Sequence, residues 1–125
     1  MMKMERRRSD DPTARRLVAA LMTYLPKAWV SPSNDELIAL YRLRYKMAVD
    51  ERKFDCALVF LDKIIEVDPR NVEARLLKAE VYHRNLNDFS RAVDIYGKVI
   101  RLTAREDSIN LRARNSLAEL MELVS

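Results

Sequence analysis

Glycine, cysteine, histidine and long apolar runs are nearly absent from this 125-residue chain. With Gly97 as its one glycine, the chain cannot form the glycine-rich loop that cradles a phosphate group. Its one cysteine, Cys56, excludes an internal disulfide. No apolar run has the length that a membrane-spanning helix needs, and no signal-peptide core follows the basic residues at the start. We therefore expect a cytoplasmic protein.

Side chains that suit catalysis are equally scarce. The one histidine, His83, has no serine, cysteine or second histidine at a spacing that suggests a proton relay. No group of Cys, His, Asp and Glu has the spacing of metal ligands. Cys56 is interpreted as a small packed thiol rather than a nucleophile. These observations predict a protein that is not an enzyme and that uses no cofactor or metal.

Helical patterning dominates what the sequence does contain. The chain is 49% hydrophobic and 34% charged, a composition that suits a nearly all-helical protein when glycine is this rare. Two apolar stripes have helical spacing, and neither helix can bury its stripe alone. Pairing of helices across short turns at 50–53 and 85–88 would bury both. The stripes are Leu37, Leu40, Tyr41, Arg44, Tyr45 and Ala48, and Ala57, Leu58, Leu61, Ile64 and Ile65.

This pattern is repeated along the chain. Phe54, Ala57 and Ile64 recur thirty-five residues later as an aromatic, an alanine and a valine, and residues 38–48 match residues 72–82 at a spacing of thirty-four. One extra residue falls in the second turn, at 85–88. The period and the string EVDPRNVEA, with Pro69 inside it, resemble the tetratricopeptide repeat family.

The resemblance implies an all-α fold of tetratricopeptide-type helix-turn-helix units, wound as a right-handed superhelix. It implies units at 38–71 and 72–106, and a C-terminal capping helix at 108–124, about two and a half repeats within a domain of residues 34–125. With Leu111 taken as the first position of the partial third unit, Leu117, Ala118 and Met121 occupy the packing positions. Alanines at 57, 79 and 92 would lie where helices approach most closely.

Residues 1–33 form a separate segment, with a basic tail, a helix and a linker that contains prolines. Asp11 and Pro12 mark a helix start, and Pro26 should end that helix near Leu25. Its apolar face comprises Leu17, Val18, Leu21, Met22 and Leu25.

The positive charge of the chain is concentrated in this first segment. Residues 1–33 hold seven Lys or Arg against three Asp or Glu, a net charge of +4, which equals that of the whole chain. An arm for nucleic acid or an anionic membrane is one interpretation. A solvated tail is favoured over it, because the basic run is short and has no interleaved aromatic residues.

In proteins of the resembling family, the first helices of successive units line a concave groove that holds a peptide or a partner helix. Placed on this chain, the predicted groove residues have charges of both signs. Neighbouring helices could pair these charges as Glu73 with Arg112 and Lys46 with Glu80, or the cations could receive an acidic partner segment. His83 is expected on the surface, near Glu122. The groove positions are Ala39, Arg42, Lys46, Val49, Glu73, Leu76, Glu80, His83, Arg112, Asn115, Glu119 and Glu122.

One specialised use of such a groove is not expected here. The carboxylate clamp of tetratricopeptide co-chaperones requires two asparagines, and this chain has Leu77 and Lys46 among the clamp positions in their place. The residues at those positions are Arg42, Lys46, Leu77, Arg112 and Ser116. Peptides that end in a free carboxylate should therefore not bind.

Two functions of different class follow from these patterns. The first is a small adaptor, scaffold or chaperone-like module that binds a protein or peptide partner in the groove. The second is a structural, self-associating protein whose N-terminal helix mediates formation of a homo-oligomer or occupies the groove. Deletion of residues 1–30 would separate them, because it would free an occupied groove in one case and dissolve an oligomer in the other.

Overall fold

The computed structural model describes Thr13, Arg16, Leu17 and residues 32–124. The chain divides into two compact units, Met1–Ser33 and Asn34–Ser125. In the first unit, Thr13, Arg16 and Leu17 are helical, and Leu17 is 62% exposed. The rest of the predicted N-terminal apolar face, which is Val18, Leu21, Met22 and Leu25, lies outside the described residues, as do the basic tail and the predicted helix start at Asp11 and Pro12.

Five α-helices make up the second unit. They are α1 (Asn34–Asp50), α2 (Phe54–Val67), α3 (Val72–Glu80), α4 (Phe89–Leu102) and α5 (Ser108–Val124), and α3 continues directly into a π-helical turn at Val81–Asn85. Residues 32–124 contain no strand, which confirms an all-α fold for this part of the chain. None of the described helices is long and apolar enough to cross a membrane.

Short polar side chains begin three of these helices. The Asn71 side chain accepts a 2.9 Å hydrogen bond from the backbone N–H of Ala74 and so caps α3. Asp88 caps α4 by accepting from the N–H of Arg91 at 3.2 Å. Asp107, directly before α5, accepts from the N–H of Ile109 at 2.7 Å. Each carboxylate or amide oxygen satisfies a donor that the first helical turn leaves without a partner.

The turn between α1 and α2 follows a common helix-ending pattern. Lys53 N–H donates to the carbonyl of Ala48 at 2.8 Å, and Arg52 N–H donates to that of Val49 at 3.0 Å. Arg52 adopts a left-handed backbone with φ of 60°. This pair of bonds is the Schellman motif, which satisfies the last carbonyls of a helix.

The turn between α3 and α4 contains one more residue, and the structure places it inside the helix. Leu86 N–H donates to the carbonyl of Val81 at 3.0 Å, and Asp88 N–H donates to that of Tyr82 at 2.9 Å. Asn87, with φ of 53°, takes the left-handed position that Arg52 has in the first turn. The prediction that the extra residue lies in the loop at 85–88 is therefore wrong. A π-turn accommodates one inserted residue without breaking the helix.

Two apolar clusters form the core, and α3 contributes to both. The first surrounds Leu61, Ile64, Ala74 and Val81. The second joins α3, α4 and α5 around Leu76, Ala79, Ala92, Tyr96, Val99, Ala113 and Leu120. Because α3 is covered on two sides, it alternates side chains between the two clusters. The three alanines expected at close helix approaches, Ala57, Ala79 and Ala92, are all fully buried.

The predicted packing face of α5 is wrong for two of its three residues. Ala118 and Met121 are exposed, and Leu117 is half-buried. The helix instead buries Asn110, Ala113, Ser116 and Leu120. The physical reason is that apolar residues occur around most of this helix, so their periodicity does not select one face. Ala113 follows Ala79 by thirty-four residues, and both alanines are fully buried.

Candidate functional site

Side chains from α1 and α3 enclose the first of two neighbouring pockets. Its volume is about 360 Å³, and its lining combines apolar side chains with charges of both signs. Tyr45 and Val49 from α1 and Leu77 from α3 supply the apolar part. The charged residues are Arg42, Lys46, Asp50 and Glu73.

Side chains from α3 and α5 enclose the second pocket, which has a volume of about 320 Å³. Its lining is more polar than that of the first. Leu111 is its one large apolar residue and is 49% exposed. The polar lining residues are Glu80, Arg84, Ser108, Arg112, Asn115, Ser116 and Glu119.

Tyr45 connects the two pockets electrostatically. It lines the first pocket, and its ring hydroxyl interacts through charge with Glu80 and Arg112 of the second and with Arg42 of the first. Burial raises the pKa of Tyr45 above its ordinary value, so the phenol stays protonated at neutral pH and can donate a hydrogen bond. The two pockets therefore belong to one surface, which we call the α1–α3–α5 surface.

Three ion pairs join the helices across this surface. Arg42 of α1 pairs with Glu73 of α3. Arg112 of α5 donates two hydrogen bonds to the Glu80 carboxylate of α3, from Nε to Oε2 at 2.8 Å and from Nη2 to Oε1 at 2.6 Å. These partners differ from the predicted pairs, Glu73 with Arg112 and Lys46 with Glu80. The type of interaction, which is pairing of charges between neighbouring helices, is the one that the sequence indicated.

The third pair lies one turn further along α3. Arg84 Nη2 is 3.3 Å from Glu119 Oε1 on α5, and both side chains are about half exposed. Arg84 was not among the predicted groove residues. Its position thirty-five residues before Glu119, one repeat period away, is the sequence signal that could have identified it.

In these pairs the pKa values of Arg42, Glu73 and Arg112 are shifted toward the ionised form. The hydrogen bond to Arg42 lowers the pKa of Glu73, and the same bond raises the pKa of Arg42. The hydrogen bond to Glu80 likewise raises the pKa of Arg112. Groups shifted in these directions keep fixed charges at neutral pH, whereas proton transfer needs a group that changes charge near the working pH.

Two predicted groove residues are instead part of the core. Leu76 is fully buried in the second apolar cluster, and His83 is only 4% exposed. The Nδ1 atom of His83 lies 3.0 Å from the hydroxyl of the buried Tyr96, which also hydrogen-bonds Ser116. The expectation of a surface histidine beside Glu122 is therefore wrong. The π-turn brings His83 inward, toward the rings of Phe89 and Tyr96.

The environment of His83 also shifts its pKa. Burial lowers its pKa below the ordinary value, and the charge of nearby Arg84 lowers the pKa further. Glu119 and Glu80 act in the opposite direction but do not reverse the shift. At neutral pH the ring is uncharged and serves as a packed, hydrogen-bonded side chain.

Of the other ten predicted groove residues, eight line one pocket or the other, and Ala39 and Glu122 line neither of these two. Arg42, Lys46, Val49 and Glu73 line the first. Glu80, Arg112, Asn115 and Glu119 line the second. The five positions of the absent carboxylate clamp are divided in the same way, because Arg42, Lys46 and Leu77 lie in the first pocket, and Arg112 and Ser116 in the second. Sequence reasoning missed Tyr45 and Asp50 as lining residues.

Two other kinds of site, a reactive cysteine and a metal site, were also considered from the sequence. Cys56 is exposed, so its interpretation as a packed thiol is wrong. Within the part of the chain that the structure describes, no group of three or more His, Cys, Asp or Glu side chains could hold a metal ion.

Comparison with protein-family models, with curated proteins and with solved structures returned no match. The tetratricopeptide resemblance therefore remains a prediction from the residues.

Proposed function

We propose that this chain is a non-enzymatic protein-interaction module, an adaptor or chaperone-like scaffold that binds a peptide or helix of a protein partner on the α1–α3–α5 surface. One observation carries the proposal. Three helices that are not consecutive in the chain contribute to two adjoining pockets on one surface, with volumes of about 360 and 320 Å³. Clefts of several hundred cubic ångströms are typical of ligand sites.

The architecture that we propose for this surface is a degenerate tetratricopeptide-type array. The two helix pairs, the alanines buried at repeat spacing and the single helix α5 after them support it. In such an array α5 caps the last unit, the helices wind as a right-handed superhelix, and α1, α3 and α5 line its concave side. A cytoplasmic location is part of the same proposal.

A binding role suits the electrostatics of the surface better than catalysis. Most of its described carboxylate and guanidinium groups are bound to each other in ion pairs, and the pKa values of Arg42, Glu73 and Arg112 are shifted toward the ionised form. Such pairs position the helices and leave hydrogen-bonding side chains, among them Asn115, exposed to a partner. We therefore assign no reaction to the surface.

A random peptide library displayed on phage tests this function on the full chain. Peptides selected for binding should lose affinity at least about tenfold for Lys46→Glu and for Asn115→Arg, since one changes each pocket. Lys98→Glu, on an exposed position of α4, serves as the matched control and should bind like the parent. Selected peptides that bind all three variants equally would refute the proposal.

Self-association is the second candidate function, and the exposed face of α1 favours it. Leu40, Leu43 and Met47 have i, i+3, i+7 spacing and are 43%, 56% and 48% exposed. An uncovered apolar stripe is typical of an interface. Sedimentation of the full chain against Leu43→Glu tests this function, and a monomer at every concentration would exclude it. The N-terminal helix was also proposed to mediate assembly or to fill the groove. Of its apolar face, only Leu17 is among the described residues.

A further inference from the structure

The first pocket has an apolar floor beneath charges that largely cancel. Tyr45, Val49 and Leu77 are half-buried, and together they form the apolar part of its lining. Of the charged residues at its rim, Arg42 and Glu73 are bound to each other. This pair adds little net attraction for a charged ligand, because each member screens the other.

Lys46 and Asp50 are the other two rim charges. They lie one turn apart on α1 and have opposite signs, and neither forms an ion pair within 4.0 Å among residues 32–124. The Lys46 ammonium interacts only at longer range with Glu73. The rim therefore has one cation and one anion available to a partner, and its net charge is zero.

The second pocket differs from the first in its ion pairing and in its apolar lining. Its Glu80, Arg84, Arg112 and Glu119 are all engaged in ion pairs between α3 and α5. Its one large apolar residue is Leu111, on the exposed side of α5. Burial of apolar area is the larger source of binding energy on a surface whose charges are already paired, so the stronger anchor should lie in the first pocket.

We propose that the first pocket holds one large apolar side chain of a partner peptide, flanked by an acidic residue that faces Lys46 and a basic residue that faces Asp50. This inference rests on the proposed function of the α1–α3–α5 surface and names the chemistry of its ligand. The apolar side chain displaces water from Tyr45, Val49 and Leu77 and supplies most of the affinity. The flanking charges fix the direction in which the peptide lies.

The test uses the tightest peptide from the phage library described above, synthesised and titrated against the full chain. Replacement of its largest apolar residue by alanine should weaken binding at least about tenfold, the expected loss for one buried apolar side chain. Raising the salt from about 50 mM to about 500 mM should change affinity less than about threefold, because net charge contributes little.

Variants of the protein test whether the apolar side chain of the peptide lies in the first pocket. Val49→Phe fills the pocket and should weaken binding about tenfold, whereas Lys46→Ala removes one rim charge and should weaken it less than about threefold. A thermal melt by circular dichroism verifies that Val49→Phe is folded. If it is not, the alanine replacement in the peptide still decides the question, because it leaves the protein unchanged.

Two failures are distinguishable. Binding that is lost in high salt, and that suffers more from Lys46→Ala than from alanine in place of the peptide's apolar residue, would show charge-based recognition and overturn this inference while the proposed function stands. Peptides insensitive to both Lys46→Glu and Asn115→Arg would overturn the proposed function itself.

Discussion

The two helix pairs, α1–α2 and α3–α4, have the same spacing of apolar residues but differ in how their first helix ends. The first pair ends α1 with a Schellman motif around Arg52. In the second pair, α3 ends in a π-turn that contains an extra residue and directs the His83 side chain into the core. One inserted residue thus replaces a solvent-facing turn with a buried polar contact.

The pairs also differ in how they are covered. The second pair packs against α5 through a core that includes Leu120, whereas α1 leaves Leu40 and Met47 exposed. Among residues 32–124, α1 has helix neighbours on one side only, and a helix with fewer neighbours can shift to relieve strain more easily. Equivalent substitutions should therefore destabilise the second pair more than the first.

The largest effect is expected at the equivalent core positions Leu61 and Tyr96, thirty-five residues apart and both fully buried. Leu61→Ala should lower the free energy of unfolding by about 2 to 4 kcal/mol. Tyr96→Ala should cost about 4 to 5 kcal/mol, because it also removes the hydroxyl that contacts His83 and Ser116. Urea unfolding at neutral pH measures both, and equal losses would contradict the difference between the pairs.

Overpacking should give the next effect. Ala92→Leu, at a fully buried position where α4 meets its neighbours, should destabilise by about 2 to 3 kcal/mol. Ala57→Leu should cost nearer 1 kcal/mol, because the exposed outer face of α1 meets no other helix of residues 34–124 that would resist its displacement. Ala118→Leu, on the exposed side of α5, is the control and should change the thermal midpoint little. A melt that Ala92→Leu leaves unchanged would count against the repeat register.

A pH effect should distinguish the second pair, since the first contains no histidine. Burial lowers the pKa of His83 from the ordinary value of 6.5, so the unfolded chain binds more protons than the folded one below that pH. The contribution of His83 to stability is therefore complete above pH 6.5 and lost as the pH falls toward the lowered pKa. We expect His83→Gln to reduce the slope of unfolding free energy between about pH 7.5 and 5.5. An unchanged slope would show that the ring is accessible in the folded protein.

The smallest effect is expected in the turns themselves. Arg52 has a left-handed backbone, which is unfavourable for a residue with a Cβ atom, so Arg52→Gly should stabilise by up to about 1 kcal/mol. Asn87→Gly should gain less, about half of that, because asparagine tolerates this conformation. Chemical unfolding of the two variants compares them, and a greater gain at Asn87 would reverse the expected order.

The all-helical fold could be predicted because helix formation depends on local signals. Capping side chains such as Asn71 and Asp88 are recognisable in the sequence, and the alanines at close approaches follow the period. The face of α5 could not be predicted in the same way. Leucine and methionine occur around most of that helix, so only the spacing from Ala79 to Ala113 indicates its orientation.

The candidate site was predicted where it depends on helix periodicity and missed where it depends on the turn. Arg42, Lys46 and Arg112 lie on the surface that the repeat pattern indicated. His83 does not, because an inserted residue can be accommodated in the loop or in a π-turn, and these alternatives rotate the side chain differently. The individual ion pairs were also beyond sequence reasoning, since long side chains can reach several neighbours.

Chemical-shift mapping of a library peptide on the isotopically labelled full chain tests the central claim most directly. Amide shifts that cluster at Lys46, Glu73 and Asn115, with few on α2 and α4, are the predicted result. Shifts concentrated on the exposed residues of α2 and α4, with none along α1, α3 and α5, would contradict the assignment of this surface as the binding site.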